Sequence, residues 1–148
     1  MKNIFIEKAR FPKFLIIIYW IQFTFFSLYY FKKMEYSLLI FLIGLFLLGI
    51  FLSFSYTKLK ISKGYIEFGL IPITKNIISW NDVKEFEIVK ISAISDFLGW
   101  GIRYSKKYGW SYIMRGEYAI CFTLNSGKKK TISLINHGKL RKILDNIG

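Results

Sequence analysis

The chain has 148 residues, with 22 Lys and Arg against nine Asp and Glu, a net charge of +13 and a hydrophobic content of 53%. With one long apolar stretch set aside, that length leaves room for a single small domain, which excludes two-domain enzyme architectures. A single cysteine, Cys121, excludes an internal disulfide, and a single histidine, His137, leaves any zinc site without its usual ligands, so neither metal nor cofactor is expected.

Residues 1–13 read as a basic N-terminal flank, with Lys2, Lys8, Arg10 and Lys13 against Glu7. Residues 14–56 read as a transmembrane hairpin. Phe14 to Phe31 and Tyr36 to Thr57 are free of charge, which at 1.5 Å per residue gives about 27 and 33 Å of helix, lengths that fit a bilayer core. Two buried helices in a soluble protein are the competing reading, but a domain this small cannot cover them. No small-residue cleavage pattern follows the first apolar run, so the segment is expected to stay attached. Basic residues on the flank and at Lys58, Lys60 and Lys63 outnumber Lys32 and Lys33 of the link, which places both termini in the cytoplasm of a multi-pass cell-membrane protein. Trp20 is expected to face the partner helix, and Gly44 and Gly49 offer a weak packing signal.

From Thr57 to Gly148 the apolar period changes to two, and 16 Lys and Arg stand against seven Asp and Glu. The alternation of residues 57–62, the turn at Lys63-Gly64 and the alternation of residues 65–70 form a β-hairpin. Ile77-Ile78-Ser79-Trp80 is a third apolar piece, and residues 83–91 a fourth strand with Phe86 and Ile88 on one face and Glu85 and Glu87 on the other. Cys121 reads as a small buried hydrophobe in the strand that carries Tyr118, Ile120, Phe122 and Leu124 on one face. Asn125-Ser126-Gly127 turns that strand into a second hairpin. A final helix begins near Asn136 and His137 and carries Leu140, Ile143, Leu144 and Ile147 as an apolar stripe.

Ile94 to Gly116 breaks the rhythm with four glycines, two tryptophans, three tyrosines and four basic residues. Aromatic rings beside cations seat well on a partner or at a lipid interface, so Phe97, Trp100, Arg103, Lys106, Lys107, Trp110 and Arg115 form the candidate interaction surface. The plainer alternative is that Phe97, Trp100 and Trp110 cap the core and the lysines are merely solvated. Lys58, Lys60, Lys128, Lys129 and Lys130 are the candidate contacts to anionic lipid headgroups, with simple solubility as their alternative.

Ile78-Ser79-Trp80-Asn81-Asp82-Val83, Gly99-Trp100-Gly101-Ile102-Arg103 and the Gly-Lys-x-x-x-Ile-x-Leu hairpin of residues 127–134 carry a resemblance that spans essentially the whole chain. The chain resembles small, uncharacterised bacterial membrane proteins that place two transmembrane helices before a pleckstrin-homology (PH)-like domain. The resemblance implies about seven antiparallel strands, as meanders of four and three, closed by a C-terminal helix over residues 57–148. It carries no activity across, because fold does not transfer function.

No nucleophile elbow, phosphate-cradling loop or zinc signature is present, and no nucleic-acid motif explains the charge. The expectation is a non-enzymatic, membrane-anchored module presenting a protein-interaction or scaffolding surface, to a partner or to its own copies, at the cytoplasmic face. The alternative is a module that engages anionic lipid, and a membrane-bound enzyme comes third.

Overall fold

The computed structural model describes residues 3–33 and 36–145, so Lys2, the link residues Met34 and Glu35, and Ile147 of the expected stripe lie outside the described residues. These residues form three helices and nine strands divided between two compact units.

One unit is the helical insertion, residues 11–55. It holds α1 (Lys13–Lys33) and α2 (Tyr36–Phe54), joined at residues 34 and 35. Among the described residues one helix, Lys13–Lys32, is long and apolar enough to cross a membrane, and Leu38–Phe54 is a shorter apolar one. Neither helix has a polar face. Phe14, Ile18, Ile21, Phe25 and Leu28 of α1 and Ile40, Ile43, Leu47, Ile50 and Phe54 of α2 are all exposed. The helices meet through Trp20, which packs edge-on against Phe46 at 5.8 Å and donates its indole N–H to Ser53 Oγ at 3.4 Å. Gly49 allows this approach, because a Cβ there would stand 2.6 Å from the Tyr19 ring, whereas nothing lies close to Gly44.

The other unit is built on two sheets. The first is β1 (Asn3–Arg10), β2 (Tyr56–Ser62), β3 (Tyr65–Ile71) and β4 (Asn76–Ser79), antiparallel in that order. The second holds β5 (Val83–Lys90), β6 (Gly101–Ser105), β7 (Gly109–Ile113), β8 (Tyr118–Leu124) and β9 (Lys129–Leu134), in the order β5-β8-β9-β7-β6. Every pair in it is antiparallel except β7 with β9. The hairpin at Lys63-Gly64, the strand after Asp82, the hairpin around residues 125–128 and the closing helix α3 (His137–Asp145) stand where the sequence reading expects them.

Two features differ from that reading. The basic flank is a strand: Asn3–Arg10 pairs along β2, with Lys8 opposite Lys58 and Arg10 opposite Tyr56. The sheet-bearing unit therefore starts before the helices, not at residue 57. The strand count is nine rather than about seven, because the flank adds β1 and the glycine-rich loop folds into the β6–β7 hairpin, whose parallel pairing with β9 breaks the expected meander.

Both differences follow from side chains far apart in sequence. On β1 the buried register is Phe5, Glu7 and Ala9. The Glu7 carboxylate accepts the backbone N–H groups of Ile135 and Asn136, each at 2.8 Å, just before α3 begins. A buried carboxylate holding two backbone donors beside a helix N-terminus is a charge-assisted tie, and it locks the first strand to the last helix.

Between the sheets Phe68 stands at the centre, edge-on to Tyr112 at 5.7 Å and stacked on Phe122 at 6.1 Å. Leu59, Ile61 and Ile66 fill one side, Ile120, Ile132 and Leu134 the other, and α3 adds Leu140 and Leu144. The outer face of the five-stranded sheet is covered by residues 91–100. There Phe97 is buried against Tyr108 at 5.3 Å, with Ile91, Ile113 and Ala119 around it.

Candidate functional site

The two loops singled out in the sequence converge where β6 ends and β7 and β9 begin in the five-stranded sheet. Tyr104 on β6 lies opposite Trp110 on β7, and Trp110 lies opposite Lys130 on β9. Directly paired residues share a face, so a tyrosine, a tryptophan and a lysine form one row. Gly109 makes the β7–β9 contact possible: its φ is +67°, and a Cβ would stand 2.2 Å from the Lys129 carbonyl oxygen. No other residue type tolerates both conditions.

The result is an open cleft of about 510 Å³ lined by Tyr104, Lys106, Gly109, Trp110, Gly127 and residues 128–130. Tyr104 and Trp110 pack edge to face at 5.6 Å, yet remain 65% and 50% exposed, so the pair presents its rings to solvent. Among the described residues neither Lys106 nor any of residues 128–130 takes part in an ion pair. The lining therefore combines four ammonium groups, two aromatic faces and no carboxylate. It can hold an anion and stack an aromatic or apolar group beside it.

The remaining sequence candidates fall elsewhere. Phe97 is a correction: it is 4% exposed and belongs to the packed outer face, because the loop needs an apolar anchor on the sheet it crosses. Trp100 is half-buried just before β6. Arg103 alternates with Tyr104 along β6, so it lies on the opposite face from the cleft, with its guanidinium over Gly99. Lys107 lies over the Tyr108 ring at 4.8 Å, and the Tyr108 hydroxyl holds its ammonium above the usual lysine range. Arg115 is exposed beyond the end of β7.

Lys58 and Lys60 do not join residues 128–130 either. Lys58 sits 2.6 Å from the Glu67 carboxylate, and its hydrogen bond, with further help from Lys75, holds that carboxyl below the usual glutamate range. Lys60 lies over the Tyr65 ring at 5.4 Å, and its hydrogen bond with the tyrosine raises its own pKa and lowers that of Tyr65. Cys121 is buried, and burial pushes its thiol up, away from the reactive thiolate.

The sequence reading misses Tyr104 as a site residue: it lies in the stretch where the alternation breaks, and its place opposite Trp110 comes from the β6–β7 hairpin. It also misses a smaller hollow of about 300 Å³ between β5 and α3, lined by Phe86, Ile88, Tyr118, His137, Arg141 and Leu144. There His137 stacks on Tyr118 at 3.7 Å, half-buried instead of the exposed cap-region residue its position suggests. Asp96 accepts the Ser92 N–H at 2.7 Å and closes its own turn. Among the described residues no cluster of three His, Cys, Asp or Glu side chains is arranged to hold a metal. Comparison with protein-family models, curated proteins and solved structures yields no match.

Proposed function

We propose that this chain is a membrane-anchored, non-enzymatic binding module whose PH-like domain offers the cationic–aromatic cleft to an acidic protein segment at the cytoplasmic face. The observation that carries the reading is the convergence of Lys106 and residues 128–130 with Tyr104 and Trp110, free of any carboxylate. An acidic segment bearing an aromatic or apolar side chain matches both halves of that surface.

The membrane anchor is supported by apolar side chains exposed around both helices, which water would penalise and lipid would not. The sheet register bears on the number of crossings. Arg10 and Tyr56 are ladder partners, so the chain leaves and re-enters the sheet at one place, and an odd number of crossings would put the two partners on opposite sides of the bilayer. This register supports two crossings, by helices of 21 and 19 residues, over one. Basic flanking residues favour the cytoplasmic side. The PH-like reading is supported by two sheets followed by a C-terminal helix whose Leu140 and Leu144 cover the core.

A second reading, binding to anionic lipid headgroups, is favoured by the pairing of Trp110 and Tyr104 with lysines, a combination at home in the headgroup layer. One experiment separates the two. The full chain is placed in nanodiscs of phosphatidylcholine, with and without phosphatidylserine, and a labelled peptide of alternating Glu and Tyr is titrated in. The acidic-segment reading expects salt-sensitive binding in neutral discs that disappears when Lys106, Lys128, Lys129 and Lys130 are all changed to Glu. Equal binding by the variant removes the cleft from the account. Protection of these lysines from acetylation by phosphatidylserine alone, with no peptide binding, establishes the lipid reading in its place.

A further inference from the structure

We propose that the β3–β4 turn, with Pro72 and Ile73 at its tip, is a third membrane contact that seats in the headgroup layer of the leaflet from which the helices start. The inference rests on the two-span reading above. It begins from register. Arg10, Tyr56 and Ile71 form one row across the four-stranded sheet, since Arg10 pairs with Tyr56 and Tyr56 with Ile71. Only Phe11 and Pro12 separate β1 from α1, and only Ser55 separates α2 from β2. That row is therefore the end of the sheet to which both helices connect in the chain. Because β2 runs away from this end and β3 runs back, the residues after Ile71 lie at the same helix-connected end of the sheet.

Strands in a sheet lie about 4.8 Å apart, so Ile71 is one strand spacing from the residue that emerges from α2, and Ile73 is two residues further on. The headgroup layer is about 5 to 8 Å deep on each side of the hydrocarbon, which puts the tip within its reach.

The turn is built to hold its shape there. Thr74 N–H donates to the Leu70 carbonyl at 2.7 Å, and Leu70 N–H donates to Thr74 Oγ1 at 3.1 Å. The turn also packs tightly on its own strand: a Cβ on Gly69 would stand 2.2 Å from the Thr74 carbonyl oxygen. With Thr74 folded inward, Pro72 and Ile73 are left facing out, Ile73 at 54% exposure.

A single exposed isoleucine is ordinary on any protein surface. Two features set this one apart. The opposite end of the β2–β3 hairpin carries Lys63 and Gly64, a charged tip, so of the two ends of this hairpin the apolar one is that where the helices attach. The apolar tip also has Arg10 in the same row and no acidic residue among positions 71–75, while Lys75, directly after the turn, lies 3.7 Å from the Glu67 carboxylate. An apolar tip in line with an arginine and a tyrosine is a composition that settles at a lipid surface.

Three single-cysteine substitutions in the full chain test this, Ile73→Cys at the turn, Lys63→Cys at the opposite end and Leu47→Cys near the middle of α2. Cys121 is buried, and the unsubstituted chain reports any label it takes up. Each is spin-labelled, reconstituted into vesicles of phosphatidylcholine and phosphatidylserine, and probed by collision with oxygen and with a water-soluble nickel chelate. The expected result is a label at residue 73 that loses most of the nickel accessibility seen at residue 63, with residue 47 shielded completely. A label at residue 73 as accessible to nickel as that at 63, with 47 still shielded, overturns the turn contact and leaves the two spans standing. Free nickel access at residue 47 overturns the spans and this inference together.

Discussion

Lys58 on β2 and Lys130 on β9 both lie on alternating strands of a strongly basic domain, yet their surroundings differ. Lys58 reaches the Glu67 carboxylate at 2.6 Å, and Lys75 approaches the same group at 3.7 Å. Lys130 lies opposite Trp110 in the cleft, where no carboxylate lines the wall. In the four-stranded sheet Glu67 holds Lys58 and Lys75 and Glu7 holds the backbone before α3, while the cleft at the ends of β6, β7 and β9 has no carboxylate for its cations. The glycine-rich loop divides in the same way, with Phe97 buried and Trp110 half exposed. A matched group works for the fold, and an unmatched one is available to a ligand.

The aromatic pair offers the largest test of that division. Phe97→Ala empties a packed site and should cost about 3 to 4 kcal/mol, the range for buried phenylalanines. Trp110→Ala removes a ring that is already half in water and should cost under about 1 kcal/mol while weakening peptide binding. Thermal melts of the full chain in detergent measure both. Equal losses would mean that Trp110 belongs to the fold as much as Phe97 does.

Next in size is Glu7→Ala. It leaves the N–H groups of Ile135 and Asn136 without their acceptor in a buried setting, with an expected cost of about 2 to 3 kcal/mol. Faster backbone hydrogen exchange at residues 135 and 136 should accompany the lower melting temperature. Unchanged exchange there would show that the carboxylate does not tie β1 to α3.

This tie also shows where the sequence stops being readable. The helical insertion is legible because two uncharged runs of that length have few other uses, and the hairpins because period-two patterns meet at turn residues. Strand β1 is hidden because its buried face carries Glu7 between Phe5 and Ala9, so the alternation that marks a half-buried strand is broken by a charge. The partner that makes this charge tolerable lies 128 positions away. Every lysine of the cleft is visible in the sequence, but not their meeting: Lys106 and Lys130 come together only through the parallel β7–β9 pairing, which no local pattern announces. Phe97 misleads for a related reason. A loop rich in glycine and charge resembles a surface, and the sheet face it must cover is composed elsewhere in the chain.

The smallest of these effects concerns acid. The Lys58 hydrogen bond, then the charges of Lys58, Lys75 and Lys60, hold Glu67 below its ordinary pKa against the opposing effect of burial. A carboxyl depressed in the folded state contributes stability that is complete above its unfolded value, about 4.3, and is lost as the pH falls through the lower folded value. Lys58→Met removes the leading cause and leaves burial, which pushes Glu67 upward, opposed only by the smaller effects of Lys75 and Lys60. Since Lys58 is partly exposed, the cost near neutral pH should be about 1 to 2 kcal/mol, and the acid limb of the stability curve should begin at higher pH. Lys130→Met should change stability by under about 0.5 kcal/mol and leave the acid limb in place, because Lys130 has no carboxylate to hold. Urea unfolding of the full chain in detergent, repeated from neutral pH down to the acid limb, measures both variants against the parent. If Lys130→Met moved the acid limb as far as Lys58→Met, the two lysines would be doing the same work and the cleft would lose its claim to unmatched charge.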